Sequence, residues 1–139
     1  MGDLSWTATV RLVHERAAGC CEYCQTCQKL TGQAMHVEHI DPGGGESPDN
    51  LCLSCPNCNL SKAAATQAPD PATGQAQALF NPRRQRWADH FTWDATKTLV
   101  RGTSAIGRAT VERFRMNSDR IIIARGIWVT AGEHPPGEG

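Results

Sequence analysis

The segment Cys21-Glu-Tyr-Cys24 is followed, 30 residues later, by Cys55-Pro-Asn-Cys58. Each segment is a CxxC knuckle, and two such knuckles supply the four thiolates that a tetrahedral structural zinc site requires. We therefore predict a closed zinc site formed by Cys21, Cys24, Cys55 and Cys58. A small unit built around this site has little core, so the metal would supply much of its folding free energy.

The register of the ligands stays open, because Cys24-x-x-Cys27 and Cys52-x-x-Cys55 have the same spacing. Pro56 favours a tight knuckle turn and therefore favours pairing Cys55 with Cys58. The three remaining cysteines, Cys20, Cys27 and Cys52, are then expected to be spare thiols, with Cys52 a small core residue. CxxC spacing without a visible export signal favours metal binding in a reducing cytoplasm over disulfides.

Composition and charge exclude some classes of protein. The 139 residues suffice for one domain or for a core with an extension. Residues 1–78 hold four basic against eight acidic residues, whereas residues 79–125 hold ten against four. The basic block is a candidate footprint for nucleic acid, although a solvated arginine-rich surface would have the same composition. The longest apolar run, Ile121–Ala124, is too short to span a bilayer, so no membrane association is expected.

The patterning of residues 5–65 predicts a mixed fold. A helix is expected over 5–18, capped by Ser5 and ended by Gly19. Residues 34–40 and 51–54 are predicted to form short strand segments, and 59–65 favour a helix. This order predicts an α+β fold with a small ββα core over residues 19–65, flanked by an N-terminal helix.

The remaining residues are predicted to extend that core within a single domain, 1–139. Residues 66–78 have the composition of a linker or an ordered loop. Residues 79–132 are expected to form a basic, mostly helical extension. Its helices are predicted over Thr103–Met116 and from Ser118 through Trp128, although the isoleucine run in the second has strand propensity.

An acid, a histidine and an amide lie between the two knuckles, and a second amide follows directly after Cys58. Hydrolysis of a phosphodiester needs an activated water and a cation that neutralises charge on the phosphate and on the leaving oxygen. Glu38 and Asn59 offer oxygen ligands for such a cation, and His39 offers a base. Asn50 is placed to hydrogen-bond the loop that holds His39. His36 shares a strand face with Glu38 and would contact the phosphate or the metal, or line the strand surface.

The combined pattern resembles the HNH endonuclease family of the ββα-metal superfamily. The resemblance covers about residues 11–62 and consists of Arg16-Ala-x-Gly-x-Cys21-Glu-Tyr-Cys24, His36-Val-Glu38-His39-Ile40-x-Pro42, the glycine loop 43–45, Asp49-Asn50-Leu51-x-Leu53-x-Cys55-x-x-Cys58-Asn59, and Lys62. The extension resembles that of a bacterial HNH subfamily, through Leu79-Phe-Asn-Pro-Arg83, Trp87-x-Asp-His90-Phe91-x-Trp93, Gly107-Arg-Ala-Thr110 and Trp128.

The resemblance implies a metal-dependent DNA endonuclease. His39 would be the general base, Asn50 the central Asn, and Glu38 and Asn59 the ligands of a Mg²⁺ or Mn²⁺ ion. Asn59 stands where many members carry the final His, and Glu38 is an Asp in many of them. The family fold implies that the helix after Asn59 approaches the minor groove and that each site cuts one strand, leaving 5′-phosphate and 3′-hydroxyl ends.

The expected substrate is nucleic acid, most of all double-stranded DNA. The candidate substrate-binding residues are His36, Lys62, Arg83, Arg84 and Arg86, with Arg108, Arg113 and Arg115 as weaker candidates. A double-strand cut would need a homodimer, a partner protein or two separate nicks. Two rival interpretations remain, namely a zinc-binding nucleic-acid module without catalysis and a zinc-containing protein–protein adaptor that uses its tryptophans.

Overall fold

The computed structural model describes residues 4–137, and within them it contains helices and two-stranded antiparallel sheets. The helices are α1 (Trp6–Arg16), α2 (Gln28–Thr31), α3 (Pro56–Lys62), α4 (Ala105–Arg113) and α5 (Asp119–Thr130). The strands are β1 (His36–His39), β2 (Leu51–Ser54), β3 (Gln67–Pro69), β4 (Ala76–Ala78), β5 (Phe91–Trp93) and β6 (Val100–Gly102). Short 3₁₀ turns cover Pro48–Asn50 and Trp87–Asp89. The mixed content confirms the predicted α+β class.

The first half of the chain forms a ββα unit. Strands β1 and β2 pair antiparallel, with Glu38 opposite Cys52 and His39 opposite Leu51. Helix α3 follows β2 after a single residue, Cys55, which caps the helix by accepting a hydrogen bond from the Cys58 N–H at 3.4 Å. The helix begins three residues earlier than predicted because the second knuckle is itself the first turn, with Pro56 in a position where no N–H is needed.

Helix α1 packs on this ββα unit. Ser5 caps it as predicted, by accepting a hydrogen bond from the Ala8 N–H at 3.1 Å. Val13 is fully buried against the strands. At the end of the helix, the Arg16 guanidinium donates to the carbonyl oxygens of Pro48, at 2.7 Å, and Leu51. These bonds hold the turn that leads into β2.

The residues after α3 form two hairpins and two helices. Residues 67–78, within the predicted linker or ordered loop, form the β3–β4 hairpin. The Arg108 guanidinium of α4 donates two hydrogen bonds to the Asp70 carboxylate of this hairpin. Strands β5 and β6 form a second hairpin that the sequence analysis did not predict. Helix α4 packs on both hairpins. Ser104 and Ser118 cap α4 and α5, the second as predicted.

The two halves share one hydrophobic core. The rings of Tyr23, from the first knuckle, and Phe114, after α4, meet edge to face with centroids 4.6 Å apart. The Trp87 indole N–H donates to the Tyr23 carbonyl at 2.8 Å, and the Asn57 amide of α3 donates to the Phe114 carbonyl at 3.0 Å. The aromatic residues of the extension therefore pack it onto the cysteine frame.

Candidate functional site

Four buried cysteines meet between the first knuckle and the start of α3. The Sγ atoms of Cys21, Cys24, Cys55 and Cys58 all lie within 4.8 Å of one another, and those of Cys24 and Cys55 are 3.6 Å apart. A zinc ion with bonds of about 2.3 Å to four thiolates in a tetrahedron would set the sulfurs roughly 3.8 Å apart. The donor set therefore fits zinc, and the predicted register is the one that brings the thiols together.

The other three cysteines lie outside this cluster. Cys52 is fully buried in β2 and its thiol contacts the Tyr23 hydroxyl at 3.4 Å, as expected of a small core residue. The expectation that Cys20 and Cys27 are spare thiols is wrong, because their sulfurs are bonded to each other at 2.00 Å. The loop between them closes through a hydrogen bond from the Cys21 N–H to the Thr26 carbonyl, which sets the two side by side. The CxxC spacing, which favours metal binding over disulfides, did not indicate this pairing, because Cys20 and Cys27 are seven residues apart.

A cleft of about 310 Å³ lies beside the cysteine frame. Glu38 and His39 of β1 and Asn59 of α3 all line it. The remaining lining residues are Val37, Pro42, Ala63 and Ala64. Strand β1 pairs with β2, which leads into α3, and β1 also packs on α3. The acid, the histidine and one amide of the predicted constellation therefore line the same cleft.

The Glu38 carboxylate is the buried polar group of this cleft. The residue is only 6% exposed, and Oε1 lies 3.4 Å from the Lys62 Nζ atom. Burial raises the pKa of Glu38 above its ordinary value, while the Lys62 ammonium opposes the shift. Oε2 has no hydrogen-bond partner within residues 4–137. A carboxylate oxygen without a partner and an amide side chain, both lining one cleft, are oxygen donors of the kind that a hard divalent cation binds.

The His39 ring is accessible, with 36% of the side chain exposed. Its Nε2 atom lies 3.7 Å from Oε1 of Glu46, a residue of the loop that follows β1. Glu46 was not predicted as a site residue, because nothing in the local sequence distinguishes it from a solvated loop acid. The His39 carbonyl accepts a hydrogen bond from Lys62 Nζ at 3.3 Å. The backbone of His39 is thus fixed from within, and its ring remains open to water.

Asn50 fixes the loop that follows His39. Its Nδ2 donates to the carbonyl oxygens of Asp41 and Gly45, both at 2.8 Å, and its Oδ1 accepts from the Asp41 N–H at 3.0 Å. The Asn50 carbonyl also accepts from the Ile40 N–H at 2.8 Å. Asn50 therefore acts as the loop clamp that the sequence predicted, and it does not line the cleft.

Two predicted substrate-binding residues lie elsewhere than the cleft surface. Lys62 is only 2% exposed, and its ammonium points inward at Glu38. His36 is exposed on β1 but is not among the residues lining the cleft.

The candidate arginines differ in exposure and in whether they form an ion pair. Arg83 is half-buried and pairs with Glu22 of the first knuckle, whereas Arg84 and Arg86 are exposed. Arg113 and Arg115 are also exposed and lie beside α3. The Arg113 guanidinium donates to the Lys62 carbonyl at 3.2 Å, and the Asn57 amide lies 3.4 Å from the Arg115 carbonyl. No local pattern distinguishes these two arginines from the others, because their position depends on how α4 packs.

Residues 21–64 match the family model described as HNH endonuclease. No curated protein and no solved structure matches the chain. No helix within residues 4–137 is long and apolar enough to cross a membrane. Because HNH nucleases act on nucleic acid, the match indicates a nuclease or a nucleic-acid-related function for this segment.

Proposed function

We propose that the protein is a metal-dependent endonuclease that hydrolyses phosphodiester bonds of DNA. The observation that carries the proposal is the cleft lined by His39, Asn59 and Glu38, a buried carboxylate with one oxygen lacking a partner among the described residues. Perturbed carboxylates in a cleft beside a histidine are frequent at catalytic centres. The HNH match over residues 21–64 supports the same chemistry.

The three polar residues that line the cleft, and Asn50 outside it, have proposed roles. His39 takes the proton from the attacking water, for which its exposed ring is suited. Glu38 and Asn59 would hold a Mg²⁺ or Mn²⁺ ion, which when bound supplies charge neutralisation at the phosphate and at the leaving oxygen. Asn50 keeps the loop after β1 in place, so that the His39 ring is held at a fixed position.

We propose a purely structural role for zinc. Four thiols fill a tetrahedral site and leave no position for substrate or water. The cluster joins the first knuckle to the start of α3, so it sets the position of Asn59 one residue after Cys58. Loss of a zinc ligand would therefore affect folding first and catalysis only as a consequence.

The test is nicking of supercoiled plasmid by the purified full chain, with Mg²⁺, with Mn²⁺ and with neither. We expect metal-dependent nicking that His39→Ala reduces by roughly 10²–10⁴-fold, the usual contribution of a general base. His14→Ala is the matched control, because His14 lies on α1 outside the cleft. Zinc content and the circular dichroism spectrum should be the same for all three proteins.

A second function is favoured by one observation. The Lys62 ammonium neutralises Glu38 from within the fold, which is also what a structural ion pair without any catalytic metal would show. On that reading the protein is a zinc-binding nucleic-acid module. Retained DNA binding with no cleavage by the wild-type protein under every metal condition would replace the nuclease proposal with this one.

A further inference from the structure

Arg125 of α5 is a buried cation without an acidic partner. Its exposure is 0%, and no ion pair within residues 4–137 includes it. Nη1 donates to the Thr98 carbonyl at 2.7 Å and to Asn117 Oδ1 at 3.1 Å, and Nη2 donates to the Met116 carbonyl at 2.7 Å. The Nε–H group has no partner in the described part of the chain.

The hydrogen bonds of Arg125 give partners to Nη1 and Nη2, but they do not neutralise its positive charge. All three acceptors are neutral oxygens, and the Trp93 ring, 5.0 Å from the guanidinium carbon, adds only a cation–π contact. Taking an unpaired charge out of water carries a large desolvation penalty, which relaxation of the surroundings only partly removes. A negatively charged group near Arg125 would reduce this penalty.

The four-cysteine cluster can supply this negative charge. Cys24, Cys55 and Arg125 line the same cavity, which has a volume of about 470 Å³. Burial lowers the pKa of the Arg125 guanidinium, and the thiols of Cys24, Cys58 and Cys55 oppose that shift. Four thiolates around one Zn²⁺ leave an excess of two negative charges, so the loaded cluster is an anion.

We propose that Arg125 is a positioning residue that compensates the negative charge of the zinc-loaded cluster and thereby couples docking of α5 to zinc binding. The coupling is reciprocal, because a charge that stabilises the loaded cluster is itself stabilised by it. Removing zinc would then leave Arg125 uncompensated in the interior. The inference concerns folding and metal retention, and it holds whether or not the cleft is a nuclease site.

The test measures metal affinity and not activity. Full-length wild type, Arg125→Met, Arg125→Lys and Arg120→Met are titrated with Zn²⁺ against a chromophoric chelator, and with Co²⁺ to follow its thiolate charge-transfer band. Arg125→Met keeps the length and apolar stem of the side chain and removes its charge. Arg120→Met is the matched control, because Arg120 lies on the same helix and lines the same cavity but is exposed.

We expect zinc affinity to fall about 10–100-fold in Arg125→Met, the usual effect of losing a group that supports metal ligands, and to be unchanged in Arg120→Met. Arg125→Lys keeps the positive charge and should lose less than Arg125→Met. Because both variants disturb the same packing, this difference isolates the charge. Equal affinities for Arg125→Met and wild type, or equal losses in the two Arg125 variants, would overturn the proposal.

Discussion

Asn50 shows how one side chain determines the shape of the proposed catalytic loop. Its side-chain amide donates two hydrogen bonds and accepts one within residues 41–45, and all three partners are backbone atoms. Gly44 lies so close that a Cβ atom there would stand 2.8 Å from Asn50 Nδ2. The clamp therefore requires both an amide at position 50 and a glycine at position 44.

Asn50→Asp is expected to impair cleavage more than Asn50→Ala. The aspartate would point a carboxylate oxygen at the carbonyls of Asp41 and Gly45, which now accept from Nδ2, whereas alanine leaves room for water. A mismatch of this kind costs about 1–3 kcal/mol, which corresponds to roughly a 5- to 150-fold slower nicking rate if it falls on the loop that holds His39. The measurement is the plasmid-nicking rate at matched zinc content. Wild-type activity in Asn50→Asp would remove Asn50 from the mechanism.

At the scale of single residues, local patterns predicted what depends on short sequence spacing. Each CxxC pair, the cap at Ser5 and the clamp at Asn50 follow from neighbours within one turn or one hairpin, and the two CxxC pairs combine because a tetrahedral site needs four thiolates. The burial of Lys62 could not be predicted in this way, because the sequence around a helical lysine does not show whether its side chain points outward or inward. Its inward direction depends on Glu38, which is 24 positions earlier in the chain.

Among the elements, α4 and the β5–β6 hairpin are joined through two glycines. A Cβ atom on Gly107 would overlap the His90 carbonyl oxygen, and one on Gly102 would overlap the backbone of α4 at Arg108. Neither glycine has a positive φ, so both are required for close approach rather than for backbone conformation. The Thr103 N–H donates to the His90 carbonyl at 2.8 Å, which fixes the hairpin at the same point.

Gly107→Ala should destabilise the protein while Gly126→Ala should not. The first substitution forces α4 away from the hairpin, at a cost of roughly 1–3 kcal/mol or more. Gly126 lies within α5, where a Cβ atom would be 4.0 Å from the nearest atom, Thr98 Cγ2. Alanine there should be neutral or stabilise by up to about 1 kcal/mol through helix propensity. Urea unfolding of zinc-saturated protein measures both, and equal stabilities of the two variants would contradict this packing.

The elements that the sequence failed to predict are the shortest ones. Strands β3 to β6 have three residues each, too few for an alternating pattern to be distinguished from a loop. Their pairing is stabilised by α4, through Asp70 with Arg108 and through the Gly102 and Gly107 contact. Helices α4 and α5 were predictable from local signals, the first from its apolar periodicity and the second from its serine cap.

For the molecule as a whole, formal charge overstates the basic surface available to a substrate. Of the ten basic residues in 79–125, three are committed inside the fold, since Arg83 pairs with Glu22, Arg108 pairs with Asp70, and Arg125 is buried. Arg113 and Arg115 remain exposed beside α3, the helix that carries Asn59 into the cleft. On the outer side of α3, Leu60 is 81% exposed. A nucleic acid bound at the cleft would lie along α3, and these two arginines would therefore be close to its backbone.

The arginines beside α3 are therefore expected to contribute more to DNA binding than those that follow Pro82. The comparison uses His39→Ala protein, in which binding is measured without cleavage, with either Arg113→Ala and Arg115→Ala or Arg84→Ala and Arg86→Ala added. Each phosphate contact contributes about 0.9 to the slope of log affinity against log salt. The first pair should lower that slope by up to about two and weaken binding at low salt, whereas the second pair should change both less. An equal or larger loss in the Arg84 and Arg86 variant would place the DNA backbone along the segment after Phe80, away from α3.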